Sequence, residues 1–116
     1  MRKILLAICM TIISSGIQAG ELSGKDLFEL LKEHEKFFLG DSSIDERASG
    51  IYMGYVQGVA EVYQHQGLIC VPDMFFDNYP LTTSVAKFLM DNTDKLELPA
   101  RELVYNALVD EFPCKK

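Results

Sequence analysis

The stretch Gly50-Ile51-Tyr52-Met53-Gly54-Tyr55-Val56-Gln57-Gly58-Val59 sets glycines at four-residue spacing inside a run that otherwise reads as helix. A glycine in a helix interior costs about 1 kcal/mol relative to alanine, so three of them call for a use. Successive helical residues are rotated by about 100°. Gly50, Gly54 and Gly58 therefore drift slowly along one side of the helix. Ile51, Tyr52, Tyr55, Val56, Val59, Val62 and Tyr63 are expected to cover the other side as a wide apolar stripe. Two uses of the glycine strip are open: a close crossing by a neighbouring helix of the same domain, or contact with a second subunit or partner. Gln57, Glu61 and His65 share the glycine side, so that side is not purely apolar.

Outward from this stretch, the first residues read as an export signal. Met1-Arg2-Lys3 is a short basic start, Ile4 to Ile13 is an apolar run, and Ser14-Ser15-Gly16 breaks it. Ile17-Gln18-Ala19 is a suitable cleavage site, and the run falls short of the roughly 20 apolar residues that span a bilayer. Residues 1–19 are thus expected to be a signal peptide. Cys9 sits too early in the apolar run, and behind too large a residue, for a lipoprotein signal. Residues 20–116 form a single domain near the lower size at which one core suffices.

The whole chain of 116 residues carries 11 basic and 17 acidic residues, a net charge of −6. Losing Arg2 and Lys3 with the signal takes the mature protein to −8. Such a chain is a poor binder of nucleic acid and favours a basic partner met by fast, salt-sensitive association. The mature cysteines are Cys70 and Cys114. An even pair in an exported chain reads as one disulfide. The alternative, a cysteine nucleophile, lacks any surrounding signature.

Helical spacing then organises the chain. Ser23 and Asp26 are placed like a capping box, and Leu27, Leu30, Leu31, His34 and Phe38 follow on one face. His34 is expected to be a satisfied core or boundary histidine, because no second ligand is spaced to help it bind a metal. Leu39-Gly40-Asp41 ends this first helix. A second, about 24 residues long, is expected from Ser42 or Ser43 to about Gln66. Ser43 and Glu46 would be its capping box, and Gly67 its terminator. Pro72 keeps the following segment extended. Met74-Phe75-Phe76-Asp77-Asn78-Tyr79 is then either a lid folded on the core or an exposed loop with the composition of an interface core. A third helix is expected over Pro80–Asp91, with Leu81, Val85, Phe88 and Leu89 buried. After a polar break comes a fourth from near Pro99, with Ala100, Leu103, Val104, Ala107 and Leu108 in the core. The fold class is all-α: a compact four-helix domain with one long central helix and one disulfide.

No phosphate-cradling loop, metal-ligand spacing or Ser-His-Asp order stands out, so the residues point to a binding protein without cofactor or metal rather than an enzyme. A family resemblance sharpens this. Tyr52-x-x-Gly54-Tyr55-Val56-x-Gly58-Val59, Cys70-Val71-Pro72, Val85-x-x-Phe88-Leu89, Ala100-x-x-Leu103-Val104-x-x-Ala107-Leu108 and Phe112-Pro113-Cys114 together resemble the Rap/Tai family of type VI secretion immunity proteins. Many members carry an extra cysteine before the glycine stretch. Ala48-Ser49-Gly50 here has none, which places the chain nearer the amidase-immunity branch. The resemblance implies a periplasmic protein, dimeric, that binds a cognate toxin and occludes its active site. The toxin would be a papain-like peptidoglycan amidase. A small periplasmic acid-stress chaperone is the alternative.

An inhibitor of a cleft enzyme needs a convex element to enter the cleft. On that ground Met74, Phe75, Phe76 and Tyr79 are expected to be the anchor, with Asp91 and Asp94 as a charged rim that steers approach. The glycine strip of Gly50, Gly54 and Gly58 is assigned to helix packing or to a homodimer.

Overall fold

The structure is a computed structural model, and it describes residues 21–73 and 80–115. The expected signal peptide and Met74, Phe75, Phe76 and Tyr79 lie outside the described residues. Among those that are described, four α-helices are present: α1 (Gly24–Phe38), α2 (Glu46–His65), α3 (Pro80–Asp91) and α4 (Ala100–Glu111), with a 3-10 turn over Thr93–Lys95. The all-α expectation holds. An isolated antiparallel bridge between Ser23 and Pro99 is the one β-type pairing among the described residues.

Helix α1 begins as its sequence dictates. The Ser23 side chain accepts from the amide of Asp26, and the Asp26 carboxylate accepts from the amide of Ser23. This reciprocal pair satisfies two of the free amides at the helix start. The chain before it is tied to the start of α4: Gly24 N donates to Leu98 O and Ala100 N to Leu22 O, each at 2.8 Å.

Helix α2 starts later than expected. Asp45, not Ser43, is its N-cap and accepts from the Ala48 amide. Ser43 is held in the preceding turn, where its amide and hydroxyl both donate to the Asp41 carboxylate at 2.8 and 2.7 Å. A side chain already used by a local turn is not available as a cap. The helix is therefore 20 residues long rather than about 24. Gly67 ends it with φ 73°, the left-handed conformation that favours glycine. It remains the longest described element and packs against the other three helices.

The core is one cluster. Leu27 and Leu31 of α1, Tyr52, Val56 and Ala60 of α2, Leu81, Val85 and Leu89 of α3, and Leu103, Val104 and Leu108 of α4 are all fully buried. The expected buried stripes of α3 and α4 are realised, with Phe88 half-buried. On α2 the stripe is rotated from the expected one: Ala48, Ser49, Tyr52, Val56 and Ala60 are buried. Tyr55, Val59 and Tyr63 are half-buried, and Ile51 and Val62 face outward.

Polar groups inside are matched. Tyr52 Oη donates to Thr82 O at 2.6 Å, linking α2 to α3. His34 Nδ1 lies 2.8 Å from Ser49 Oγ, linking α1 to α2. No buried side-chain nitrogen or oxygen among the described residues lacks a partner. His34 is the satisfied core histidine expected from the sequence.

The disulfide joins Cys70 to Cys114 across a Cα–Cα distance of 4.8 Å. Beside it Cys70 N donates to Phe112 O at 2.9 Å. The exit of α2 and the end of α4 are thus fixed to each other. Ile69 and Val71, on either side of Cys70, are buried.

Candidate interaction surface

The outward side of α2 is the most distinctive surface among the described residues. A Cβ added at Gly50, Gly54 or Gly58 would meet nothing within 4 Å. No described helix comes within that distance of the strip. The packing of α1, α3 and α4 is taken up by the other face of α2, through Ala48, Tyr52, Val56 and Ala60. Ile51, 44% exposed, and Val62, 55% exposed, flank the glycines on one side, and the exposed Arg47, Glu61 and His65 share the strip with them.

Two grooves flank this ridge. One, of about 600 Å³, runs along Gly54, Tyr55, Gly58, Val59 and Val62 to Tyr63, Gln66 and Arg101. Tyr63 is fixed there, its ring 5.1 Å from that of Tyr105 and its hydroxyl donating to Arg101 O at 3.3 Å. Burial pushes the Tyr55 hydroxyl above its ordinary pKa. The other groove, of about 230 Å³, lies on the far side of Gly50, between Phe37, Ile44 and Met53, with His34 and Ser49 at its floor. Phe37 is 57% exposed at its mouth. Burial lowers the His34 pKa, against the opposing field of Glu35.

The two residues of the expected acidic rim lie at the end of α3 and just beyond it. Asp91 closes α3 and Asp94 lies in the 3-10 turn, and both are exposed. Lys95 sits beside them with its ammonium 5.9 Å from the Phe88 ring centroid. Helix α3 has 12 residues, about 18 Å at 1.5 Å per residue. Pro80, which follows the aromatic segment, and the acidic turn therefore stand at opposite ends of one helix. A single interface includes both only if it runs the length of α3.

Sequence reasoning missed the tightest glycine. Gly24 is buried, and a Cβ there would press on Leu103 Cδ1 and lie 2.8 Å from Leu96 O. Its place directly after an N-cap serine disguised it as a helix-start residue. The His34–Ser49 bond was also not foreseen as a pair, since it joins residues on different helices.

Among the described residues no group of three or more His, Cys, Asp or Glu side chains could hold a metal ion. None of the described helices is long and apolar enough to cross a membrane.

Comparison with protein families matches residues 23–114 to the Rap1a immunity proteins. The chain belongs to the Rap1a immunity protein family. The match takes in all four helices and both cysteines of the disulfide. It extends the resemblance carried by the motifs between Tyr52 and Cys114 back to the Ser23 cap. Comparison with curated proteins and with solved structures finds no match. As a Rap1a immunity protein the chain has a cognate toxin as its partner. An all-α scaffold with an open apolar face suits that role.

Proposed function

We propose that this protein is the periplasmic immunity protein for a type VI secreted peptidoglycan amidase. It acts by binding the toxin and covering its active site, without catalysis of its own. The observation that carries the reading is the family match across residues 23–114. The absence of a further cysteine before the glycine stretch, at Ala48-Ser49-Gly50, favours the amidase branch.

Residues 1–19 serve as the export signal, and a disulfide suits the oxidising compartment beyond the inner membrane. The anchor that enters the amidase cleft is the aromatic segment Met74, Phe75, Phe76 and Tyr79. Aromatic side chains carry a disproportionate share of binding energy, and the nearby disulfide at Cys70 limits the ordering needed on binding. Asp91 and Asp94 steer the approach of a basic rim. The working form is a homodimer.

The test is protection of a Gram-negative host in which the strain's amidase effector is directed to the periplasm. Co-production of the full chain should restore growth. The same chain without residues 1–19 should not, because it would stay in the wrong compartment. Lysis despite the full chain, present and oxidised in the periplasm, would rule out this function.

A further inference from the structure

We propose that the pocket between the end of α1 and the start of α2 takes a lysine or arginine side chain of the cognate toxin, its alkyl stem against Phe37 and Met53 and its cationic head at Glu46. The proposal rests on the functional reading and adds a second contact to the aromatic anchor.

The pocket holds about 230 Å³. Ile44 and Met53, both half-buried, and Phe37, 57% exposed, are its apolar walls. Gly50 leaves one wall bare, since a Cβ there would meet nothing within 4 Å. His34 and Ser49 close the floor and are tied to each other at 2.8 Å. A floor held by a buried hydrogen bond is fixed before any partner arrives, which spares ordering on binding. Two residues beyond Phe37, Leu39 is 80% exposed, the highest value for a large apolar side chain among the described residues. Apolar surface of this kind, edged by charge, marks a contact site.

Charge selects the occupant. Glu46 is the one carboxylate among the described residues that line the pocket. It is exposed and has no ion-pair partner among the described residues. Asp41 and Asp45, in the turn that leads into α2, are exposed as well. The basic residue next to Phe37, Lys36, is already engaged with Glu33 at 2.8 Å. Burial holds His34 below its ordinary pKa, so the floor adds no positive charge at neutral pH. An anionic side chain would be repelled here. A wholly apolar one would dry the edge of Glu46 without pairing it, which costs free energy. Lysine or arginine meets the walls with its stem and Glu46 with its head.

The other proposed toxin contact begins close by. Tyr52 stands behind the floor, its ring 4.9 Å from that of His34 and its hydroxyl donating to Thr82 O at 2.6 Å. Thr82 is the third residue of α3, and Pro80, the first, follows the aromatic segment. The pocket and the base of that segment are thus joined through one buried side chain, so a single partner engages both.

The test is isothermal titration of the purified amidase effector of the producing strain into the oxidised mature chain, with inhibition read in parallel. Glu46→Lys should raise the dissociation constant at least about tenfold. Glu46→Gln should raise it less, with a shallower dependence on salt than the wild type. Gly50→Phe, which fills the pocket from its bare wall, should also raise it at least about tenfold. Glu102→Lys, an equal change of net charge at an exposed site on α4, should stay within about twofold of the wild type. Circular dichroism and thermal melts confirm that each variant is folded. Unchanged affinity in Glu46→Lys and Gly50→Phe overturns the site and leaves the functional reading standing. A loss with Gly50→Phe alone makes the occupant apolar and overturns the cation. Equal losses in Glu46→Lys and Glu102→Lys reduce the effect to net charge and overturn the site. Variants that bind amidase normally but lose a dimer in sedimentation velocity give the pocket to a second copy, against the proposal. A wild type that neither binds nor inhibits the amidase overturns the functional reading and this inference with it.

Discussion

His34 Nδ1 and Ser49 Oγ, 2.8 Å apart, form a hydrogen bond between two buried side chains that fastens α1 to α2. His34 is 3% and Ser49 5% exposed, and the imidazole also lies 4.9 Å from the Tyr52 ring. A buried polar group that loses its partner costs about 1–3 kcal/mol. Ser49→Ala should therefore destabilise the fold by that amount, read as a lower midpoint of urea unfolding at unchanged slope. Unchanged stability would mean that the bond is replaced without cost.

The same histidine predicts a pH dependence. Burial lowers its pKa in the folded state, so below the ordinary imidazole value near 6.5 the unfolded chain takes up the proton first. Its contribution is full above that value and falls as pH drops towards the lower folded value. The melting temperature of wild type should decline between about pH 7.5 and 5.5, above the range in which carboxylates titrate. His34→Gln, though less stable throughout, should show a smaller decline. Parallel slopes for the two proteins would contradict this.

The glycines separate into two classes. At Gly24 a Cβ would press on Leu103 and the Leu96 carbonyl, and Gly24→Ala should cost at least the 1–3 kcal/mol typical of overpacking. At Gly54 and Gly58 there is open space in the monomer. Alanine there should stabilise the monomer by about 0.4–1 kcal/mol through helix propensity and the entropy of the unfolded chain. The comparison is made by thermal melts at low protein concentration. Destabilisation at Gly54 in the monomer would point to a close helix crossing, which no described helix makes.

Cys70 and Cys114 are 44 residues apart in sequence. On the chain-entropy model a link of that span contributes roughly 4 kcal/mol. Cys70→Ser/Cys114→Ser should lose much of this, read by denaturant unfolding. Intact mass of the wild type should rise by two hydrogens on reduction. Two free thiols in protein recovered from the periplasm would contradict the bond.

The pattern of the sequence carried the elements further than it carried their faces. Helix α4 buries the five residues its spacing predicts, and α3 buries Leu81, Val85 and Leu89 as expected with Thr82 and Ala86 beside them; each has a proline at or next to its start. Helix α2 departs from its expected stripe. Its apolar residues span more than half of the circumference, so periodicity alone left its rotation open, and the buried side is centred on Tyr52, Val56 and Ala60. That rotation leaves Ile51 and Val62 exposed. Its start was misread for a local reason: Ser43 satisfies the Asp41 carboxylate and leaves the cap to Asp45. The acidic turn was legible as a polar break, but its distance from Pro80 along α3 is a matter of geometry that spacing in the sequence does not display.

The decisive measurement is titration of the purified type VI amidase effector of the producing strain with this protein, reading cleavage of a peptidoglycan peptide. Inhibition should be complete near one chain of immunity protein per amidase, because active-site occlusion is stoichiometric. Phe75→Ala, Phe76→Ala or Tyr79→Ala should weaken binding by at least about 2 kcal/mol at one of the three positions, in proteins shown to be folded. Full amidase activity in the presence of a large molar excess of the oxidised wild-type protein would contradict the proposed function.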